Sequence, residues 1–142
     1  MALAGRLDKQ DFYVYVIIGD GELSEGQVWE AAMASASYKL GHVIAFIDNN
    51  GLQAMGKIED RLNTGPYAQK FQAFGWDTYE INGHSVPEIL DAVDKAKKTD
   101  KPSAIIAHTV KGKGFSFAEN VVGFHHNAMD QAQYEQALKE LS

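Results

Sequence analysis

The chain has 142 residues, 45% hydrophobic and 23% charged, the balance of a folded protein able to bury a core without a disulfide or metal staple. Thirteen basic residues against nineteen acidic ones leave a formal charge of −6, which removes the basic footprint that nucleic-acid or anionic-membrane binding requires. Cysteine is absent, so disulfides, thiolate metal sites and cysteine nucleophiles are excluded, and the composition suits a cytoplasmic location.

Residues 1–7 (MALAGRL) read as the end of a helix rather than the opening of a domain, and residues 1–8 lack the basic-then-apolar order of a signal peptide. Residues 12–18 form a β-branched and aromatic run that stops at Gly19-Asp20-Gly21. Ser24 followed by Gln27 predicts a capping box at a helix start. Val28, Ala31, Ala32 and Ala36 then repeat at helical spacing, with Ser35 on the same face and Gly41 closing the helix. Residues 42–47 are a second strand run, ending at Asp48-Asn49-Asn50-Gly51. Residues 67–74 predict a short helix ended by Gly75, and residues 78–81 a third strand stopping at Asn82-Gly83. Residues 86–98 predict a helix with Pro87 in its first turn, lysines in its last, and Ile89, Leu90, Val93 and Ala96 on one face. Residues 103–110 are the fourth strand, before Lys111-Gly112-Lys113-Gly114, and residues 130–141 a terminal helix.

The strongest runs are apolar on successive residues, which predicts strands covered on both faces. Strand and helix alternate, so the fold class is α/β: one domain over residues 1–142, with a mostly parallel sheet, helices on both faces and right-handed crossovers. Ligands of such sheets sit beyond the carboxyl ends of the strands. The Gly, Asp and Asn clusters fall there.

In Gly19-Asp20-Gly21-Glu22-Leu23-Ser24-Glu25-Gly26 two glycines let the backbone approach a ligand, and the next helix offers free N–H groups to an anion. A dinucleotide fingerprint needs a third glycine where Ser24 stands. Gly21 and Gly26 have phosphate-loop spacing, but Gln27 and Val28 replace the Lys-Ser/Thr pair. A tight turn carrying a carboxylate fits the same residues equally well. The second cluster shifts that balance. Asp20 and Asn50 each follow a core strand, one strand–helix–strand unit apart. On neighbouring strands their oxygens converge, and such ligands suit a hard cation, Mg²⁺ or Ca²⁺, with a phosphate completing the shell. A carboxylate facing a diphosphate needs that cation, so the chemistry reads as metal-bridged diphosphate binding.

Gly19-Asp20-Gly21 followed by Asn49-Asn50 resembles the thiamine-diphosphate motif. The segments GDGELSEGQVWEAAMASASYKL, VIAFIDNNGLQ, AFGWDTYEINGH and IIAHTVKGKGFSFAEN are similar to the amino-terminal half or subunit of transketolases. The resemblance implies a diphosphate-domain fold, truncated at its amino end, that binds thiamine diphosphate through Mg²⁺. It implies Asp20, Asn50 and the Leu52 carbonyl as metal ligands, with Gly19, Gly21 and Asn50 at the cofactor. Glu25 and Glu30 match an acidic pair that couples active sites across a subunit interface. His125 matches a histidine at the cofactor diphosphate and substrate; on the residues alone it reads as solvated, and the two glutamates as helix-surface charge. The implied reaction is two-carbon ketol transfer between sugar phosphates, completed by a pyrimidine-binding domain or subunit that this sequence lacks. The isolated chain is therefore expected to be inactive.

Three residues depart from the family pattern. His126 replaces a glycine, Ala54 a larger aliphatic residue and Met55 an aspartate. Two other readings stay open: a component of another thiamine-diphosphate enzyme, of the 2-oxoacid dehydrogenase or deoxyxylulose-phosphate synthase type, or a non-enzymatic remnant domain. Small residues Ala31, Ala32 and Ser35 beside Glu30 predict close helix packing and a homo-oligomer.

Overall fold

A computed structural model describes residues 1–141. In chain order the elements are α1 (Ala2–Leu7), β1 (Val14–Gly19), a 3-10 turn (Asp20–Ser24), α2 (Gly26–Ser37) and β2 (Val43–Asn49). A small hairpin of β3 (Leu52–Gln53) and β4 (Gly56–Lys57) precedes α3 (Tyr67–Ala73), β5 (Asp77–Asn82), α4 (Val86–Ala96) and β6 (Ser103–His108). A second 3-10 turn (Val122–His125) and α5 (Gln131–Glu140) follow. The main sheet is parallel throughout, in the order β1-β2-β6-β5.

The alternation of side chains along each strand divides the core in two. Val43, Ala45, Ile47, Ala104 and Ile106 meet Ala32 of α2 and Phe71 of α3 on one face. Ile44, Ile105, Ala107 and Ile81 meet Ala92 and Ala96 of α4 on the other. The successive apolar residues of β2 and β6 thus serve both layers, as parallel strands under two helical covers do. No helix among the described residues is long and apolar enough to cross a membrane.

β1 departs from that expectation. It is an edge strand, bonded to β2 alone, and Tyr15, Val16 and Ile17 are 48%, 38% and 78% exposed. The cause is the placement of α4, which packs over β2, β6 and β5 and leaves the Tyr15 and Ile17 side of β1 bare.

Three local expectations also change. Ser24 does not cap α2: residues Asp20–Ser24 wind into the 3-10 turn, the Ser24 hydroxyl donates to the Gly21 carbonyl at 2.8 Å, and Glu25 takes the cap position. Leu90 is 60% exposed, because it lies about 100° around the helix from the stripe of Ile89, Val93 and Ala96 that reaches the sheet. Gly41 does not end α2. Lys39 does so, with φ of 51°, in a Schellman arrangement where Leu40 N–H donates to Ser35 O and Lys39 N–H to Ala36 O, both at 2.9 Å. Gly41 instead lets the chain pass Asp100, since a Cβ there would stand 2.6 Å from the Asp100 carbonyl oxygen.

A left-handed lysine is a costly choice at that turn. Lys39→Gly is expected to raise stability by about 0.5–1 kcal/mol, the strain relieved exceeding the added freedom of the unfolded chain. Thermal melting checks it, and a lower melting temperature contradicts it.

Candidate functional site

The sheet register builds the site. β1 and β2 are parallel neighbours with Gly19 level with Asp48, so the residues that follow each strand, Asp20 and Asn50, emerge side by side at the carboxyl edge. Gly51, at φ +74°, turns the chain so that its N–H donates to Asp20 Oδ2 at 2.5 Å. The Asn50 side-chain oxygen accepts from Leu52 N–H at 3.0 Å, while its amide nitrogen donates to Asp48 Oδ2 at 3.3 Å. The other Asp48 oxygen accepts a short hydrogen bond from the Thr109 hydroxyl, which ties β6 into the same knot.

Asp20 is only 1% exposed. Burial pushes its carboxyl above the ordinary carboxylate range and the Asp48 carboxylate adds to the rise, while backbone N–H groups of Gly51, Gly21 and Asn50 oppose it. A buried carboxylate reached by backbone donors invites a cation. The oxygens at hand are the Asp20 carboxylate, the Asn50 amide oxygen and the Leu52 carbonyl, a hard donor set that suits Mg²⁺ or Ca²⁺. No group of three or more His, Cys, Asp and Glu residues that could hold a metal occurs among the described residues. An ion on Asp20 and Asn50 therefore requires further oxygens from its ligand.

Gly21 lies close against β3: a Cβ there would stand 3.0 Å from Gln53 Cβ, whereas nothing would lie within 4 Å of one on Gly19. Gly19, Asp20, Gly21, Asn50 and Leu52 are thus brought together. Glu25 and Glu30 are not; both are exposed on α2 and its cap, away from the Asp20 carboxylate's donors. His125 stands in the second 3-10 turn, which packs against β3 and hence beside Leu52. Its ring is exposed and meets His126 edge-on at 4.5 Å.

Two open cavities share Asn50 as a wall. One of about 670 Å³ extends toward α3, past Asn49, Leu52, Tyr67, Glu80 and His108. The other, about 610 Å³, extends toward α4, past Asp48, His84, Thr109, Lys111 and Lys113. Sequence reasoning missed most of these polar walls. Asn49, His108 and Glu80 form a row across three strands, with Asn49 Nδ2 3.2 Å from His108 Nδ1 and His108 Nε2 3.0 Å from Glu80 Oε2. His84 Nε2 accepts from Val110 N–H at 2.7 Å. Asp48, the nearest partner of Asn50, reads in the sequence only as the end of a strand.

Comparison with known proteins gives a single family. The family described as transketolase, thiamine diphosphate binding domain, matches residues 4–142. One of the two subunits of an apulose-4-phosphate transketolase from Phocaeicola vulgatus is 41% identical over 143 residues, covering 100% of this chain and 51% of that protein. A 6-deoxy-6-sulfo-D-fructose transketolase subunit from Clostridium sp. is 42% identical, covering 99% of this chain and 52% of that protein. The chain thus spans about half the length of these curated relatives. In solved structures it is similar to the transketolase of Campylobacter jejuni, with a TM-score of 0.90 at 31% identity, over 98% of this chain and 22% of that one.

Proposed function

We propose, from the premise that this chain belongs to the transketolase family through its thiamine diphosphate binding domain, that it anchors the diphosphate of thiamine diphosphate through a divalent cation. The observation that carries this reading is the buried Asp20 carboxylate beside Asn50, joined to the neighbouring turn by Gly51 N–H. Asp20, the Asn50 amide oxygen and the Leu52 carbonyl would hold Mg²⁺, or Ca²⁺ in its place. Gly19 and Gly21 leave the backbone bare for the diphosphate. His125 would reach the phosphate or substrate from the turn beside β3.

When bound, thiamine diphosphate supplies the carbanion chemistry of two-carbon ketol transfer, and the protein supplies binding and orientation. Asp20 keeps the cation in place, and the Gly51 donor keeps the carboxylate aimed. The substrates are sugar phosphates, as the family implies. A pyrimidine-binding domain or subunit completes the cofactor site; two of the relatives are themselves described as transketolase subunits. Glu25 and Glu30, exposed on α2, would meet another subunit of a cytoplasmic oligomer and couple its site to this one. Without these additions the chain transfers no ketol group.

Calorimetric titration with thiamine diphosphate, with and without Mg²⁺, tests the reading. Binding that appears only with Mg²⁺ is expected, and equal binding after chelation overturns it. Ketol transfer by the purified chain alone would overturn the need for a second component.

A further inference from the structure

β1 is apolar on both of its faces and open on three sides. Its outer edge has no strand partner, and Ile17, at 78% exposure, is far more open than the corresponding residues of β2 and β6. An edge strand of a solvated sheet keeps one polar face or carries charges that deter pairing. The residues of β1, Val14-Tyr15-Val16-Ile17-Ile18-Gly19, carry neither. On the α2 side an apolar groove of about 350 Å³ runs along the strand, lined by Val16, Ile18, Val28, Ala31 and Ser35. On the other side no described helix covers Tyr15 and Ile17.

We infer that this edge is the seat of a further strand and helix, supplied by a polypeptide corresponding to the half of the transketolase relatives that this chain does not span. The strand pairs with the free edge of β1 in the parallel sense of the rest of the sheet. The helix that accompanies it lies over Tyr15 and Ile17, as α4 lies over the strands beside them. A second copy of this chain fits less well. Across a two-fold axis its β1 would satisfy the open edge, but each copy would present the same bare Tyr15 and Ile17 face, with α4 already seated over β2, β6 and β5. The curated relatives carry about as much chain outside the matched region as within it, ample for a strand and helix. The inference rests on family membership and is independent of the metal reading. It has a consequence for that reading all the same, because Gly19 and Asp20 continue directly from β1: pairing the strand stiffens the turn that carries the carboxylate.

The test is co-expression of the tagged chain with the untagged part of the Phocaeicola vulgatus protein that lies outside its match, without cofactor or Mg²⁺ in any arm. The expected result is co-purification, with amide exchange at residues 15–19 slowed about tenfold or more relative to the chain alone. Ile17→Lys places a charge in the proposed contact, so it should lose capture yet keep the melting temperature of the unpartnered chain, where this side chain is already solvated. Tyr15→Glu is the second variant on the same face, used if the first lowers the melting temperature. Absence of capture, capture indifferent to both variants, or protection at β5 instead of β1 overturns the proposal. So does a dimer of the chain alone in sedimentation that Ile17→Lys dissociates, which would make a second copy the occupant. Because no arm contains cofactor, failure here leaves the calorimetric result untouched, and the reverse also holds.

Discussion

Asp20→Asn is expected to abolish Mg²⁺-dependent binding of thiamine diphosphate, by about 100-fold or more, roughly 2.7 kcal/mol at 25 °C, and at the same time to stabilise the ligand-free chain at neutral pH. The two effects share one cause. The carboxylate is 1% exposed, and burial is the main reason its pKa is raised. A group whose folded pKa lies above its unfolded value favours the fold most below the unfolded pKa, about 3.9 for aspartate. That contribution is lost as pH rises through the folded pKa. At neutral pH the ionised, buried Asp20 is therefore a burden that a cation relieves. Asparagine never ionises, still accepts from Gly51 N–H through its amide oxygen, and offers N–H donors toward Asp48. The melting temperature of the variant should exceed that of the wild type at pH 7 to 8, with the gain fading toward pH 4, and Mg²⁺ with cofactor should raise only the wild type. A variant that binds as well as the wild type, or that melts lower at neutral pH, contradicts the account.

Phe71→Ala is expected to cost about 3–5 kcal/mol, a large fraction of the roughly 5–15 kcal/mol that holds a domain folded. Phe71 is 1% exposed and its ring lies 5.4 Å from that of Trp29 and 5.2 Å from that of Trp76. The first joins α3 to α2 and the second joins it to the start of β5. Trp76 in turn donates from Nε1 to the Ala32 carbonyl at 2.8 Å. Removing the ring leaves a cavity among rigid aromatics that have no smaller arrangement to collapse into, and edge-to-face contacts are lost as well. Leu90→Ala, at an exposed position of α4, serves as the comparison and should cost less than about 1 kcal/mol. Urea denaturation gives both values. A loss below about 1 kcal/mol for Phe71→Ala would show that α3 is not held through this ring.

Much of the layered fold was legible because it depends on local chemistry. The β-branched runs at β2 and β6 and the Pro87-to-lysine pattern of α4 announce their elements, and Phe71 falls in a segment already marked as helix. The adjacency of Asp20 and Asn50 follows from one strand–helix–strand unit, the shortest-range tertiary relation a parallel sheet offers. What stayed hidden depends on strand order. The Asn49–His108–Glu80 row exists because β6 lies between β2 and β5, an order that no local pattern encodes. The exposure of β1 was hidden for a related reason: an apolar strand states that it needs covering, not which segment covers it. Ser24 misled because its hydroxyl closes the 3-10 turn behind it instead of opening the helix ahead.

The hydrogen bond from Gly51 to Asp20 has a kinetic side. It fastens the turn after β1 to the turn after β2 in the free protein, so neither turn has to find the other when a ligand arrives. Association should then run at the pace of diffusional encounter, with no slow closing phase in stopped-flow traces. Differences in affinity among variants of these turns should appear in how long the ligand stays, and hardly at all in how quickly it comes.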